Sequence, residues 1–217
     1  MELPKFINKR IQLLLGVIIA LLLLFFVAQP LVAQQVGGRC EGCEAVLEYG
    51  DQALTASDTL PDFRSHENKM LIEGTVYEAD GKTPAAGVIV YAYHTNEKGV
   101  YPTRDNEKGW GRRHGYIRGW VKTDDKGRYQ FYTFKPATYP SRTEPAHVHI
   151  TVKEPNMKEY WIDSIEFEDD PLVTAKHKAS KRNRAGSGII RLGSKNGLLL
   201  AKRDIYLGKN IPNYPKR

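Results

Sequence analysis

The sequence predicts an all-β sandwich preceded by a short N-terminal extension. Three observations carry this. Short stretches of alternating or apolar residues recur from residue 69 onward, Gly/Pro/Asp-rich turns separate them at close spacing, and no segment from 70 to 217 has a helical period. The expected division is a leader over 1–33, an extension over 34–68 holding Cys40 and Cys43, and the sandwich over 69–217.

Each element follows from its pattern. "MLIEGTVYEA" (70–79) alternates, and "DGKTPAAG" supplies a turn. "VIVYAYHT" (88–95) reads as a buried strand with a polar end, and residues 96–115 form a long loop rich in Gly and charge. "YIRGWVKT" (116–123) and "RYQFYTF" (128–134) are strands joined by "DDKG". A proline-punctuated loop, "KPATYPSRTEP" (135–145), leads into the strand "AHVHITVKE" (146–154) and then "YWIDSIEFE" (160–168). The tail, 188–208, reads as two strands joined at "SKNG", since Asn-Gly favours the tight hairpin turn. Residues 34–68 lack periodicity, apart from one short helix expected around 45–56.

Composition is that of a globular chain: 41% hydrophobic and 26% charged over 217 residues. The start differs. Lys5, Lys9 and Arg10 precede an apolar run from Leu13 to Ala28, and Ala33 follows as a small residue suited to cleavage. The run lies between a signal core and a full membrane span, so the leader is either cleaved or kept as an anchor through residues 11–28. In both cases the basic end stays inside and the rest is exported: periplasmic, extracellular or anchored facing outward. Much of the +7 net charge sits in "KHKASKRNR" (176–184), which reads as a solvated loop. It has no interleaved aromatic residues, so nucleic acid is not an expected partner. The two cysteines in "CEGC" are too few for a structural zinc site, and outside the cytosol they read first as a local disulfide, with pairing to another chain as the alternative.

Function is most legible in "PAHVHITV" (145–152). Side chains two apart on a strand share a face, so His147 and His149 present paired imidazoles. Imidazole is a common ligand of iron, copper, zinc and nickel, but two histidines do not complete a metal shell. No carboxylate lies within "HVHIT". The nearby loops offer Tyr101 and Tyr139, and a phenolate is a hard donor suited to a ferric ion. Taken singly, Tyr101 also reads as a loop anchor and Tyr139 as packing on Pro140.

In order along the chain, "HTNEKGVYPTR", "RGWVKTDDKGRYQFYTFKPATYPSR", "PAHVHITV" and "FEDDPLV" resemble the intradiol ring-cleavage dioxygenases, the group that includes protocatechuate 3,4-dioxygenase and catechol 1,2-dioxygenase. The resemblance spans about residues 70–175, and the export leader and "CEGC" look most like a secreted branch. It implies a prealbumin-like sandwich holding one non-haem Fe(III). Tyr101 and His147 would be equatorial ligands, with Tyr139 and His149 axial. A catechol would bind through both oxygens as Tyr139 leaves the metal. Both atoms of O2 would enter between the hydroxyl-bearing carbons, giving a muconate-type diacid. No organic cofactor is implied, and family members are usually homo-oligomers.

The pattern has departures. Where the family carries an Arg before Pro-Ala-His, this chain has Glu144, leaving Arg142 as a substitute catalytic cation or a surface charge. Ser164 stands where protocatechuate enzymes carry a Gln near the substrate. Arg118 matches a family Arg-Gly and is expected near the substrate. Arg113 and His114 read either as pocket or as solvated loop, and Trp110 and Trp120 as pocket wall or core. Two other readings stay open. "IEGTVYEADGKTPAAGVIVYAY" also resembles metal-free transthyretin-like and carboxypeptidase-regulatory modules, and Glu144 allows an inactive iron-binding descendant.

Overall fold

A computed structural model describes residues 35–215. The expected leader lies outside these residues. Two sheets pack face to face. The first runs β1 (Ser57–Thr59), β5 (Arg128–Phe134), β2 (Lys69–Tyr77), β10 (Leu198–Lys202), β9 (Gly193–Lys195), and β11 (Ile205–Tyr206) also pairs with β2. The second runs β4 (Arg118–Lys122), β3 (Ile89–His94), β6 (His147–Lys153), β7 (Tyr160–Phe167), β8 (Ile189–Ile190). This is the all-β sandwich that the alternation predicts.

The registers show why the pattern worked. In β2 and β5, Ile72 pairs with Phe131, and both are fully buried between the sheets. Val90 and Ala92 of β3 and Val148, Ile150 and Val152 of β6 point into the same core. Their neighbours Tyr91, Tyr93, His149 and Thr151 therefore face the other side of the second sheet. Asn196 and Gly197 both have positive φ between β9 and β10, as the tight hairpin requires.

The extension is more than an appendage. From Gln35 onward the chain forms one compact unit. Ala45 and Val46 are buried against Tyr91 and Trp120 on the outer face of the second sheet. The Trp120 indole donates to the Ala45 carbonyl at 2.9 Å. Asp58 accepts from the Trp120 amide at 3.0 Å. β1, three residues long, adds a parallel edge to β5. The helix expected around 45–56 is instead one 3-10 turn over Cys43–Leu47, held by Ala45 and Val46 in the apolar cluster. Cys40 and Cys43 form the local disulfide, with Cα atoms 5.8 Å apart.

Two short helices were not evident from periodicity: α1 (Gly111–His114) and α2 (Ala175–Ser180). Each is too brief to show one. The Thr174 side chain caps α2 by accepting from the His177 amide. The basic run is also not a uniformly solvated loop. His177 and Lys181 contact the buried Glu166 at 2.7 and 2.8 Å. Arg184 is 1% exposed, and its guanidinium sits 3.5 Å from the centre of the Trp161 ring. It also donates to the carbonyls of Gly37 and Trp161. Among the described residues no helix is long and apolar enough to cross a membrane.

Candidate metal centre

β6 carries the paired histidines and β3 sets their register, with Tyr93 opposite His149. The His147 Nδ1–H donates to the Pro145 carbonyl at 2.7 Å, which leaves its Nε2 lone pair free to bind. His149 is held far below the ordinary imidazole pKa, first by burial and then by His147, so it is a neutral donor.

Two loops bring the tyrosines to these nitrogens. Tyr101 ends a loop folded by backbone bonds between Asn96 and Val100 and between Gly99 and Asn96. Tyr139 lies in the 135–145 loop, which is tied to the first loop by Thr95 Oγ1 donating to the Ala137 carbonyl at 2.7 Å. Gly99 makes this closure possible. Its φ is +73°, and a Cβ there would overlap the Thr138 carbonyl oxygen and lie 3.2 Å from the Tyr139 Cα. Downstream, Asp170 accepts from the Ala146 amide at 2.8 Å and fixes the approach to β6.

The four donor atoms converge. Tyr101 Oη lies 2.6 Å from Tyr139 Oη and 2.9 Å from His149 Nε2. Tyr139 Oη lies 3.2 Å from His147 Nε2 and 3.5 Å from His149 Nε2. The two Nε2 atoms are 2.9 Å apart. Donors about 2 Å from a shared ion and at right angles to each other are about 2.8 Å apart. Four of the five separations, 2.6 to 3.2 Å, lie near the edge of such a shell, and the Tyr139–His149 pair at 3.5 Å is wider, so the residues fit a small, hard cation. Both phenols are pushed above the ordinary tyrosine pKa, chiefly by burial. Their shared hydrogen bond raises Tyr101 and lowers Tyr139, so Tyr139 is the easier of the two to ionise within this pair. Glu144 adds a smaller upward push on both. A cation would reverse these shifts by favouring phenolate. Among the described residues, no group of three or more His, Cys, Asp or Glu could hold a metal ion, so tyrosine is essential to this donor set.

The other sequence candidates fall into three groups. Arg142 is exposed in the turn after Pro140. Its amide donates to the Tyr139 carbonyl, while its side chain has no hydrogen bond or ion pair among the described residues. Arg118 is tied to Glu48 at 2.6 Å and more loosely to Glu107 at 3.9 Å, so its charge is already neutralised. Glu48 also accepts from the Trp110 amide. Arg113 is exposed and paired with Glu41. His114 is buried, accepts from or donates to the Tyr91 hydroxyl at 2.9 Å, and is pushed down to about 4, mainly by burial. Trp120 belongs to the apolar cluster, with Trp110 packed against it.

Sequence reasoning missed Tyr93. Its ring stacks on His149 at 4.5 Å and on His114 at 3.9 Å, nearly parallel to both. The alternation of β3 placed Tyr91 and Tyr93 on one face, but nothing local showed that this face met the histidines.

Comparison with known proteins agrees with this picture. The family model described as Dioxygenase matches residues 48–187. Catechol 1,2-dioxygenase 1 of Acinetobacter lwoffii is 32% identical over 121 residues, covering 48% of this chain and 37% of that protein. The chain thus matches little more than a third of that relative's length. Among solved structures, the dioxygenase domain of a dioxygenase carbohydrate-binding protein fusion from the cellulolytic bacterium Streptomyces sp. SirexAA-E shares the fold, with a TM-score of 0.53, 17% identity, and coverage of 71% of this chain and 89% of that one. A variant of Acinetobacter radioresistens catechol 1,2 dioxygenase shares it too, with a TM-score of 0.54, 18% identity, and coverage of 77% and 62%. The family match takes in more than half of the chain and includes all four converging donors: the chain belongs to the dioxygenase family, in its intradiol ring-cleavage group.

Proposed function

We propose that this protein is an exported, ferric intradiol dioxygenase that opens catechol-type rings between the two hydroxyl-bearing carbons. The observation that carries the reading is the convergence of Tyr101, Tyr139, His147 and His149, whose donor atoms lie 2.6 to 3.5 Å apart in the pairs described. A metal-free transthyretin-like module has no need of that convergence. Fe(III) held there would supply a Lewis acid and a template for the catechol oxygens.

The chain's own groups have distinct tasks. The two imidazoles are nitrogen donors fixed on a strand, with His147 oriented by the Pro145 carbonyl. Tyr101 is the more buried phenol and is held by both Tyr139 and His149. Tyr139 sits on the 135–145 loop, is the less buried phenol, and is the group placed to accept a proton at its Oη from an incoming catechol hydroxyl. The reaction joins one catechol and one O2, and both oxygen atoms end in the diacid product.

Export is supported by the basic, apolar, small-residue order of residues 1–33 and by the Cys40–Cys43 disulfide, which suits an oxidising compartment. One observation favours a second reading, that of an inactive iron-binding descendant: Glu144, in the position of the family's Arg, adds negative charge beside both phenols. Oxygen uptake over a panel of catechols, with product and metal analysis of the same sample, decides. Stoichiometric O2 consumption with a ring-opened diacid supports the enzyme. A coloured ferric protein that consumes no O2 supports the descendant, and a protein that stays colourless after iron loading contradicts both.

A further inference from the structure

Beside the donor cluster, on the outer face of the second sheet, lies a cavity of about 230 Å³. One wall comes from the sheet: Tyr93, His149, Thr151, Trp161 and Ser164. The opposite wall is the segment Arg39–Gly42, which runs into the disulfide. The sheet wall depends on an irregularity. Between Val148 and Ile150 the β6–β7 register slips, so that β7 carries one extra residue opposite His149. In a regular strand, residues three apart face opposite sides. The slip brings both Trp161 and Ser164 to the cavity.

The loop wall is held at several points. The Trp161 indole donates to the Arg39 carbonyl at 3.2 Å. Glu41 pairs with Arg113 of α1. Gly42 has a φ of +83°, and a Cβ there would lie 2.7 Å from the His114 Nε2 and 3.1 Å from the Trp110 ring. Gly42 thus lies close against His114, whose other neighbour in the stack is Tyr93. A disulfide spanning three residues adds little to global stability, because it closes so short a loop. Its consequence is local: it fixes the shape of the loop against the site.

We propose that the Cys40–Cys43 loop is a specificity wall that sets which ring substituents the catechol site accepts. The proposal rests on the ring-cleavage reading above. Pockets for drug-sized ligands are usually about 300–1,000 Å³. At 230 Å³ the cavity suits a single ring with a small substituent, and a bulky one meets the loop. Opening the loop relaxes that discrimination without touching the metal ligands.

The test is anaerobic titration of the iron-loaded protein with catechol and with 4-tert-butylcatechol, followed by the visible charge-transfer band. It compares wild type, the Cys40→Ala/Cys43→Ala double variant, and wild type treated with a phosphine reductant. Wild type is expected to favour catechol. Loop opening should cut the preference by about tenfold, the scale of a few methylene contacts, with catechol affinity and iron content unchanged. Ser164→Leu, which fills the cavity from the sheet side, should raise the preference instead and serves if the double variant does not fold. Equal preference in wild type and in the opened or filled forms overturns the specificity wall alone. A wild type with no band, or one that binds neither catechol, overturns the ring-cleavage reading and the wall with it.

Discussion

Tyr101 Oη and His149 Nε2 lie 2.9 Å apart although 48 residues separate them in sequence. One belongs to a loop and the other to a strand of the second sheet, and the fold brings both to a point also reached by Tyr139 and His147. The donor set is therefore assembled by the fold, from two loops that carry the tyrosines and one strand that carries both histidines.

The histidines should be the less forgiving pair. His147→Ala or His149→Ala removes an imidazole donor held by β6, and iron affinity should fall by more than about 100-fold, beyond the usual effect of losing an outer contact. Tyr139→Phe should keep iron more weakly and slow turnover. Metal analysis after exhaustive dialysis checks the order, and full occupancy in both histidine variants would contradict the ligand assignment.

Gly99 should matter as much as a ligand although it carries no side chain. Gly99→Ala places a methyl on the Thr138 carbonyl at a positive φ, so the two tyrosine loops must separate. The expected cost is about 1–3 kcal/mol in denaturant unfolding, with a loss of iron affinity as well. Lys98→Ala, one residue away and exposed, should change neither.

Glu48 links the extension to the sandwich. It pairs with the largely buried Arg118 and accepts from the Trp110 amide. Glu48→Ala removes the near carboxylate of Arg118, leaving the one from Glu107 at 3.9 Å, and should destabilise by about 2 kcal/mol. If residues 35–68 were a passive tail, chemical denaturation would show no change.

His94 should make stability pH-dependent. It is fully buried, donates from Nδ1 to the Thr95 carbonyl at 2.7 Å, and contacts Thr133 Oγ1 at 2.6 Å. Burial, with smaller contributions from His66 and His147, pushes its pKa down from 6.5 to about 4. The unfolded chain binds the proton more readily, so the folded state is favoured above pH 6.5. That advantage drains away as pH falls through 6.5 toward 4, by about 3 kcal/mol in all. Unfolding free energies measured on the metal-free protein across this range should decline with acid, and His94→Asn should flatten the decline.

The sequence and the structure agree where the physics is local. Strands β2, β3 and β5 to β7 were legible because alternation exposes one face and buries the other, and the Asn196-Gly197 turn because few residues tolerate its backbone. His147 and His149 followed from the same period of two. Tyr101 and Tyr139 had no such mark; only the ordered motif set around them singled them out. The contribution of residues 35–68 was not legible, because its contacts are long-range: Ala45 to Trp120, Glu48 to Arg118, Asp58 to Trp120. The three-residue β1 and the two short helices are too brief for any periodicity. The burial of Arg184 on Trp161 is likewise invisible in a run of basic residues.

The most direct measurement is the visible absorption spectrum of the purified protein after ferric loading and removal of loose metal, with iron quantified on the same sample. The expected result is about one iron per chain and a tyrosinate-to-iron charge-transfer band that weakens or shifts in Tyr139→Phe and in Tyr101→Phe. A colourless protein without bound iron, or a band indifferent to both tyrosines, contradicts it.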